Sequence, residues 1–170
     1  MLKLITFPND ILREHIPEFN FDNTDLDPIQ LEKDMLDFMY KSNGIGLAAN
    51  QVGLKVRMFV MGHKDNPELG QAFFNPVVLE NTETIEDLEE GCLSFPKIFV
   101  KIKRPTAIKA RWQTSKGEFK ESIFSGYDCK CFLHELDHLE GIVFKDRVST
   151  LNGHSQLKGN HKWLLNQVRN

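Results

Sequence analysis

The segment from residue 125 to residue 141 reads SGYDCKCFLHELDHLEG and gives the strongest local prediction in the chain. Ser125 followed by Asp128 three positions later predicts a capping box at the start of a helix. Gly141 is a residue type that commonly follows the last turn of a helix. We therefore expect a helix from about Gly126 to Glu140.

Within this helix, His134 and His138 are four residues apart and lie one turn apart on the same face. Their two imidazoles can therefore converge on one metal ion. Glu135 is offset by about 100° around the helix, so its carboxylate can reach a water on that ion rather than the ion itself. This pattern is typical of a metal-activated water beside a general base. The alternative is a helix surface on which two histidines and several charges occur together by chance.

A catalytic site of this kind needs a third ligand, and several zinc-protease patterns do not fit. Position 144 is Phe144, where one class places a third histidine, and Glu140 is the last glutamate of the chain, which excludes ligation by a later one. Upstream, Cys92 in the segment EEGCLSFP (89–96) would complete a Cys-His-His site with one open position. Candidates for the third ligand downstream of the helix are Asp146, His154 and His161. The alternative role for Cys92 is that of a buried cysteine that binds no metal. We expect Cys129 and Cys131, which have the wrong helical angles to join the histidines, to pack in the core.

Length and composition fit one globular domain, with 170 residues, 41% apolar side chains and a mean hydropathy of −0.35. No targeting leader is evident, and no apolar run is long enough to span a membrane. Three cysteines cannot close a disulfide framework, so we expect a cytosolic protein. A net charge of −3 argues against general or specific DNA binding. From Lys145 to Asn170, however, five basic residues accompany one acid, which gives a basic end that could touch an anionic partner.

Periodicity and turn residues predict further elements on either side of the metal helix. Asp27-Pro28 begins an amphipathic helix over 28–42, and strands are predicted over 54–61 and 73–79. A hairpin is predicted with strands at 106–113 and 118–124. The acidic run from Glu80 to Glu90 is expected to be a solvated loop or sheet edge, except for Glu90 itself.

A third motif, GIGLAANQ, occupies residues 44–51. It contains G-x-G-x-x-A, which is found in dinucleotide-binding folds, but that motif requires a strand before it and a helix is predicted there instead. We therefore interpret it as a segment whose small residues allow a substrate backbone to come close, with the Gln51 side chain supplying an amide donor.

Taken together, GIGLAANQ, EGCLS (90–94) and HELDH (134–138) resemble, in order and spacing, the three signature motifs of the peptide deformylases. The resemblance extends over residues 4–147 and includes FPNDILR (7–13), FNP (74–76) and LEGIVF (139–144). It implies an α+β fold in which antiparallel strands pack around a central helix carrying the HExxH motif. Residues 1–147 would form the catalytic domain, and residues 148–170 a short basic C-terminal tail of the same domain.

The resemblance also implies the chemistry. The family removes the formyl group from N-formylmethionine at the start of nascent polypeptides and releases formate. By motif, Cys92, His134 and His138 would hold the metal and Glu135 would be the general base, while the Gln51 side chain and the Leu93 backbone N–H would stabilise the oxyanion. Fe²⁺ is the expected ion, and Zn²⁺, Ni²⁺ and Co²⁺ also suit such ligands.

Substrate contacts follow from the same resemblance. Ile45, Gly46 and Gly91 would line the path of the peptide, and a pocket for the methionine side chain would comprise Ile45, Leu88, Tyr127 and Cys131. Arg104 would pair with Glu90 or Asp137 and tie the cysteine segment to the metal helix. The basic tail would offer a contact with ribosomal RNA. Competing functions are a metallohydrolase acting on another small amide and a noncatalytic metal-binding module.

Overall fold

The computed structural model describes residues 2–147 and 157–158. The strands are β1 (Gly46–Ala48), β2 (Met58–His63), β3 (Asn66–Asn81), β4 (Ile85–Cys92), β5 (Phe95–Pro105), β6 (Ala107–Gln113), β7 (Phe119–Ser125) and β8 (Leu157–Lys158). The helices are α1 (Pro28–Lys41), α2 (Gly126–Leu139) and α3 (Phe144–Arg147), with short 3₁₀ segments at Asp10–Arg13 and Ala49–Val52. The predicted basic tail, apart from the backbone of β8, lies outside the described residues.

The described strands form two antiparallel sheets, which confirms the α+β prediction. One sheet has the order β1-β2-β3-β6-β7 and the other the order β4-β5-β8. No helix in the described part of the chain is long and apolar enough to cross a membrane.

The acidic run is an edge strand rather than a loop. Residues 85–92 form β4, which stands at the end of its sheet and pairs with β5. Its carboxylates are exposed except that of Glu90, which is buried as predicted. The partner strand β5 alternates buried Ile98, Val100 and Ile102 with exposed Phe99, Lys101 and Lys103, so one face of the hairpin is buried and one is solvated.

Helix α1 confirms its predicted start. The Asp27 side chain accepts hydrogen bonds from the backbone N–H groups of Ile29 and Gln30 at 3.0 and 3.2 Å, and Pro28 occupies the first turn. The helix ends at Lys41, one residue before the predicted end.

Helix α2 confirms the predicted span, but the predicted capping box is wrong. Ser125 is the N-cap residue, yet its side chain makes no capping hydrogen bond with the described residues. The Asp128 carboxylate instead lies 2.9 Å from Nε2 of His63 on β2. At the other end, Gly141 has φ +70°, and a Cβ there would lie 2.4 Å from the Arg13 carbonyl oxygen, so only glycine fits this turn.

Two strand boundaries differ from the predictions. Strand β2 begins at Met58 rather than at residue 54, because Leu54 N–H donates to Ala49 and Met58 N–H donates to Val56, which keeps residues 54–57 in a local turn. Strand β3 is longer than the predicted 73–79 and covers 66–81. The predicted hairpin is confirmed within one residue at each boundary, as β6 and β7.

The buried face of α2 packs on the larger sheet. Phe132 meets Phe59 of β2 edge to face, with ring centroids 5.0 Å apart, and contacts Phe73 of β3 at 5.5 Å. Cys129 and Cys131 are buried in the same cluster, which confirms their predicted packing role. A fully buried aromatic contact of this kind fixes the helix on the sheet. The opposite face of α2 then packs its polar residues against β5 and the Ala49–Val52 segment.

Candidate metal centre

Three ligand-type side chains meet where β4 ends against α2. Cys92 is the last residue of β4, and His134 and His138 lie one turn apart on α2. One donor atom from each of the three lies within 4.8 Å of the other two. Cys92 Sγ is 3.2 Å from Nε2 of His138, so that nitrogen faces the thiol. The structure thus brings together the residues that the sequence assigned to the metal.

The His134 ring is oriented by a buried carboxylate. Its Nδ1 lies 2.8 Å from Oε2 of Glu90, which leaves Nε2 to face the centre. A carboxylate behind a histidine ligand fixes the ring and its tautomer and raises its basicity as a donor. Nδ1 of His138 has no hydrogen-bond partner among the described residues.

Arg104 makes both of the predicted ion pairs at once. Its Nε and Nη2 donate to the two oxygens of Glu90 at 2.8 and 3.1 Å, and its Nη1 donates to Asp137 at 2.8 Å. Only 4% of Arg104 is exposed, and Arg147 Nε adds a 3.0 Å bond to the same carboxylate of Asp137. One guanidinium therefore fastens β4 and β5 to the metal helix.

The charges around the centre favour a cation within it. Burial raises the pKa of Glu90, but hydrogen bonds from His134 and Arg104 outweigh that effect and lower the pKa to about 2, so the carboxylate is ionised. Burial lowers the pKa of His134, but hydrogen bonds with Cys92 and Glu90 hold it well above its ordinary value. Burial and the neighbouring His134 hold the pKa of His138 well below its ordinary value. A centre of two imidazoles and one thiol with a buried carboxylate behind it fits a divalent transition metal.

Glu135 is buried beside the centre and has an oxygen without a partner. The residue is 4% exposed, and its Oε2 has no hydrogen bond with the described residues. Burial raises its pKa to about 7, so the carboxyl can both accept and release a proton near neutral pH. A buried carboxylate oxygen without a partner is costly, and in a cavity it marks a place where a ligand or water is bound.

Gln51 points its amide nitrogen at the thiol. Its Nε2 donates to Ser94 Oγ at 3.0 Å and to Cys92 Sγ at 3.4 Å, and its Oε1 accepts from the Ala48 backbone N–H at 2.9 Å. The side chain is thus held at both ends beside the centre. Leu93, which follows Cys92, lines the cavity that opens beside the centre.

A cavity of about 580 Å³ opens beside the centre and carries most of the predicted substrate contacts. The residues of that set that line it are Ile45, Gly46, Gly91, Tyr127 and Cys131. Leu88 is not among the lining residues of this cavity, and on β4 it stands opposite Ile102. The predicted contact of Leu88 with the methionine side chain therefore stays a prediction.

Three polar residues at the site were not predicted from the sequence. Ser94 positions Gln51, and Asn50 donates to the His138 carbonyl at 2.6 Å, which holds the end of the metal helix. Lys130 lines the cavity one turn before His134. The four-residue spacing that groups His134 with His138 also includes Lys130, so that signal could have identified it.

Comparisons with known proteins point to one family. A family model described as polypeptide deformylase matches residues 1–154. The chain is 42% identical over 153 residues to a peptide deformylase of Thermotoga petrophila, with 88% of each chain covered. It also resembles the crystal structure of peptide deformylase from Thermotoga maritima, with a TM-score of 0.80, 38% identity, and 88% of this chain and 98% of that chain covered. A Plasmodium falciparum peptide deformylase superposes with a TM-score of 0.85 at 32% identity, over 98% of this chain and 95% of that chain.

Proposed function

The chain belongs to the peptide deformylase family, and we propose how its own residues carry out the reaction of that family. The protein removes the N-formyl group from nascent polypeptides that begin with formyl-methionine, and it releases formate. The observation that carries the proposal is the Cys92, His134 and His138 cluster, within 4.8 Å, next to the buried Glu135, whose Oε2 has no hydrogen-bond partner in the described part of the chain.

In this proposal α2 is the central helix of the catalytic unit, which comprises residues 1–147, and residues 148–170 are a basic extension of the same domain. His134 and His138 lie on one face of the helix, and Glu135 lies on the adjacent face. The apolar face of α2 is packed on the larger sheet, so the polar residues on its other faces have fixed positions. A helix held in this way gives the donor groups a geometry set by the core rather than by loops.

Cys92 Sγ, Nε2 of His134 and Nε2 of His138 hold the metal. We propose Fe²⁺, with Zn²⁺, Ni²⁺ and Co²⁺ as ions that the same donors accept. When bound, the ion supplies a Lewis acid that lowers the pKa of water and polarises the formyl carbonyl. Glu90 and Arg104 keep the His134 ring in position for this role.

Glu135 moves the proton. Its Oε2 accepts a proton from the water as the water oxygen bonds to the formyl carbon. The same carboxyl then gives that proton to the methionine nitrogen as the carbon–nitrogen bond breaks, which leaves a free amine and formic acid, and the acid releases its remaining proton to become formate. A pKa near 7 allows both transfers at the pH of a cytosol.

Gln51 and Leu93 stabilise the charge that develops on the formyl oxygen. The Gln51 amide nitrogen already points at the Cys92 side of the cavity, and the Leu93 backbone N–H follows that cysteine. Donors held in place before the reaction cost no reorganisation when the charge forms. Ser94 contributes by keeping the Gln51 amide oriented.

The peptide enters between the motif of residues 44–46 and the end of β4. Ile45, Gly46 and Gly91 line its path, and Tyr127 and Cys131 line the space beside them for the methionine side chain. A Cβ on Gly46 would lie 2.5 Å from Oε1 of Glu135 and 2.7 Å from Sγ of Cys131, so position 46 must have no side chain.

Nascent formylated chains are made in the cytoplasm of bacteria, and we propose that the protein works there. Its basic extension, with five basic residues and one acid from Lys145 to Asn170, would contact ribosomal RNA. Deleting residues 150–170 should then reduce cosedimentation with ribosomes, and unchanged cosedimentation would remove this part of the proposal.

The reaction itself is tested with protein purified without oxygen, because Fe²⁺ and the Cys92 thiolate are both open to oxidation. Formate release from formyl-Met-Ala-Ser is compared with acetate release from acetyl-Met-Ala-Ser, and the metal is measured by elemental analysis. We expect one metal per chain and a strong preference for the formyl peptide. Equal rates on both peptides would indicate a general amide hydrolase, and bound metal without hydrolysis of either would indicate a metal-binding module.

A further inference from the structure

Lys130 is a buried cation inside the substrate cavity. It is 4% exposed, and it lines the same cavity as Glu135 and Cys131. On α2 it precedes His134 by four residues, as His134 precedes His138, so the three side chains form one stripe along the helix. Lys130 therefore begins one turn, roughly 6 Å, from the metal ligand.

The ammonium group of Lys130 has no salt bridge with the described residues. Its Nζ lies 4.2 Å from the centroid of the Tyr127 ring, a cation–π contact that leaves N–H donors unused. Tyr127 is 70% exposed at the mouth of the cavity, whereas Lys130 lies inside. The N–H groups of Lys130 that do not face the ring can donate to a ligand in the cavity.

The surrounding charges indicate what kind of acceptor would satisfy it. Burial lowers the pKa of Lys130, Glu90 and Glu86 on β4 act to raise it, and Arg104 acts to lower it, so two carboxylates and one further cation already lie around the ammonium. A further carboxylate from a substrate would meet their repulsion. A neutral group with a strong acceptor oxygen avoids that repulsion and still takes the hydrogen bond.

The neighbours of Lys130 on α2 indicate where on the substrate this acceptor lies. Tyr127 and Cys131 line the space that we assign to the methionine side chain, and Nζ of Lys130 lies 4.2 Å from the centroid of the Tyr127 ring. The Lys130 ammonium therefore lies beside the space for the first side chain.

We propose that Lys130 determines the specificity of the cavity for the first residue, by donating a hydrogen bond to a neutral acceptor at the end of that side chain. This inference rests on the proposed function. A thioether is a weak acceptor and a sulfoxide oxygen a strong one, so the cavity accepts peptides that begin with formyl-methionine sulfoxide. It disfavours norleucine, which has the shape of methionine without an acceptor.

The test compares kcat/KM for formyl-Met-Ala-Ser and its analogues with methionine sulfoxide and norleucine in the first position. In the native enzyme we expect the sulfoxide peptide to exceed the norleucine peptide. In Lys130→Met the ratio should fall by about tenfold or more, mainly through KM, since a hydrogen bond from a charged donor contributes at least that factor. Lys130→Arg should keep most of the preference. Lys120→Met, at an exposed lysine that does not line the cavity, is the matched control and should not change the ratio.

Titration calorimetry with the unformylated product peptides measures the same discrimination without hydrolysis. If no peptide releases formate but the binding ratio still depends on Lys130, the proposed function fails and the role of Lys130 stands. If formate is released and both ratios are the same in native protein and Lys130→Met, the role of Lys130 fails and the proposed function stands. A preference of the native protein for norleucine over the sulfoxide overturns the proposal without any variant.

Discussion

Oε2 of Glu90 lies 2.8 Å from Nδ1 of His134, and both residues are buried. This contact decides which nitrogen of the ring faces the metal centre, because the nitrogen bonded to the carboxylate is not free to bind an ion. The carboxylate is in turn held by two bonds from Arg104. The geometry of the centre therefore depends on residues that do not touch the metal.

Replacing Glu90 by glutamine should weaken metal binding. Glu90→Gln keeps the size of the side chain but removes the charge behind His134, and losing such a partner typically lowers metal affinity by roughly 10- to 100-fold. The measurement is metal retention during titration with a chelator. Glu86→Gln, at an exposed carboxylate on the same strand, is the control and should leave the titration unchanged. Equal retention in both variants would show that the Glu90 contact does not support the ligand.

Arg104→Met should destabilise the fold. It leaves Glu90 and Asp137 as buried carboxylates without their shared partner, and breaking a buried pair on one side costs about 3–5 kcal/mol. Denaturant unfolding measures the loss. Lys103→Met, one position away and exposed, should change the free energy of unfolding by less than about 0.5 kcal/mol. If the free energy of unfolding fell by less than about 1 kcal/mol in Arg104→Met, the two carboxylates would have found other partners. The ion pairs of Arg104 would then not be the main connection between β5 and α2.

Gly46→Ala should lower activity more than stability. The new methyl would overlap Oε1 of Glu135 and Sγ of Cys131, so the carboxylate must move and the peptide path must narrow. We expect kcat/KM to fall by roughly 10²-fold, the order of loss that a small misplacement of a catalytic group produces. Gly117→Ala, in the β6–β7 turn at φ +79°, should cost stability through backbone strain and leave kcat/KM unchanged. Comparable activity losses in both variants would point to a general effect of the substitution.

Gln51→Leu should slow the reaction by roughly 10²- to 10³-fold, the usual effect of removing one oxyanion donor. The effect should appear in kcat, because the donor acts on charge that forms during the reaction. Ser94→Ala removes only the hydroxyl that accepts from the Gln51 amide, and its effect should be smaller. A larger loss in Ser94→Ala than in Gln51→Leu would reverse the assigned roles.

The sequence predicted the metal helix well because its evidence is local. Two histidines at a four-residue spacing, an apolar face and a terminal glycine all lie within one segment, and α2 has the predicted limits to within one residue. Cys92 was one of several candidates for the third ligand until the family motif selected it, since a single cysteine 42 residues upstream has no spacing rule that places it beside His134. Gln51 was interpreted as an amide donor from its own segment, but its place beside Cys92 depends on the fold, because it reaches the site from a different strand-and-turn segment.

The features that the sequence did not predict depend on tertiary contacts. Asp128 could cap α2, but in the fold it pairs with His63, and Ser125 is left without a side-chain bond to the described residues. Arg104 could pair with Glu90 or Asp137, and only the packing of β5 beside α2 allows both. The register of β4 places Leu88 opposite Ile102, and a sequence alone does not supply that register.

The most direct test of the account compares metal content and formate release in Glu135→Gln and His138→Ala. We expect Glu135→Gln to keep one metal per chain while formate release falls by roughly 10²- to 10⁴-fold, because the ligands remain and the proton carrier is gone. His138→Ala should lose both metal and activity. Formate release at the native rate in Glu135→Gln, or loss of its metal together with its activity, would contradict the assignment of Glu135 as the general base beside a Cys92, His134 and His138 metal centre.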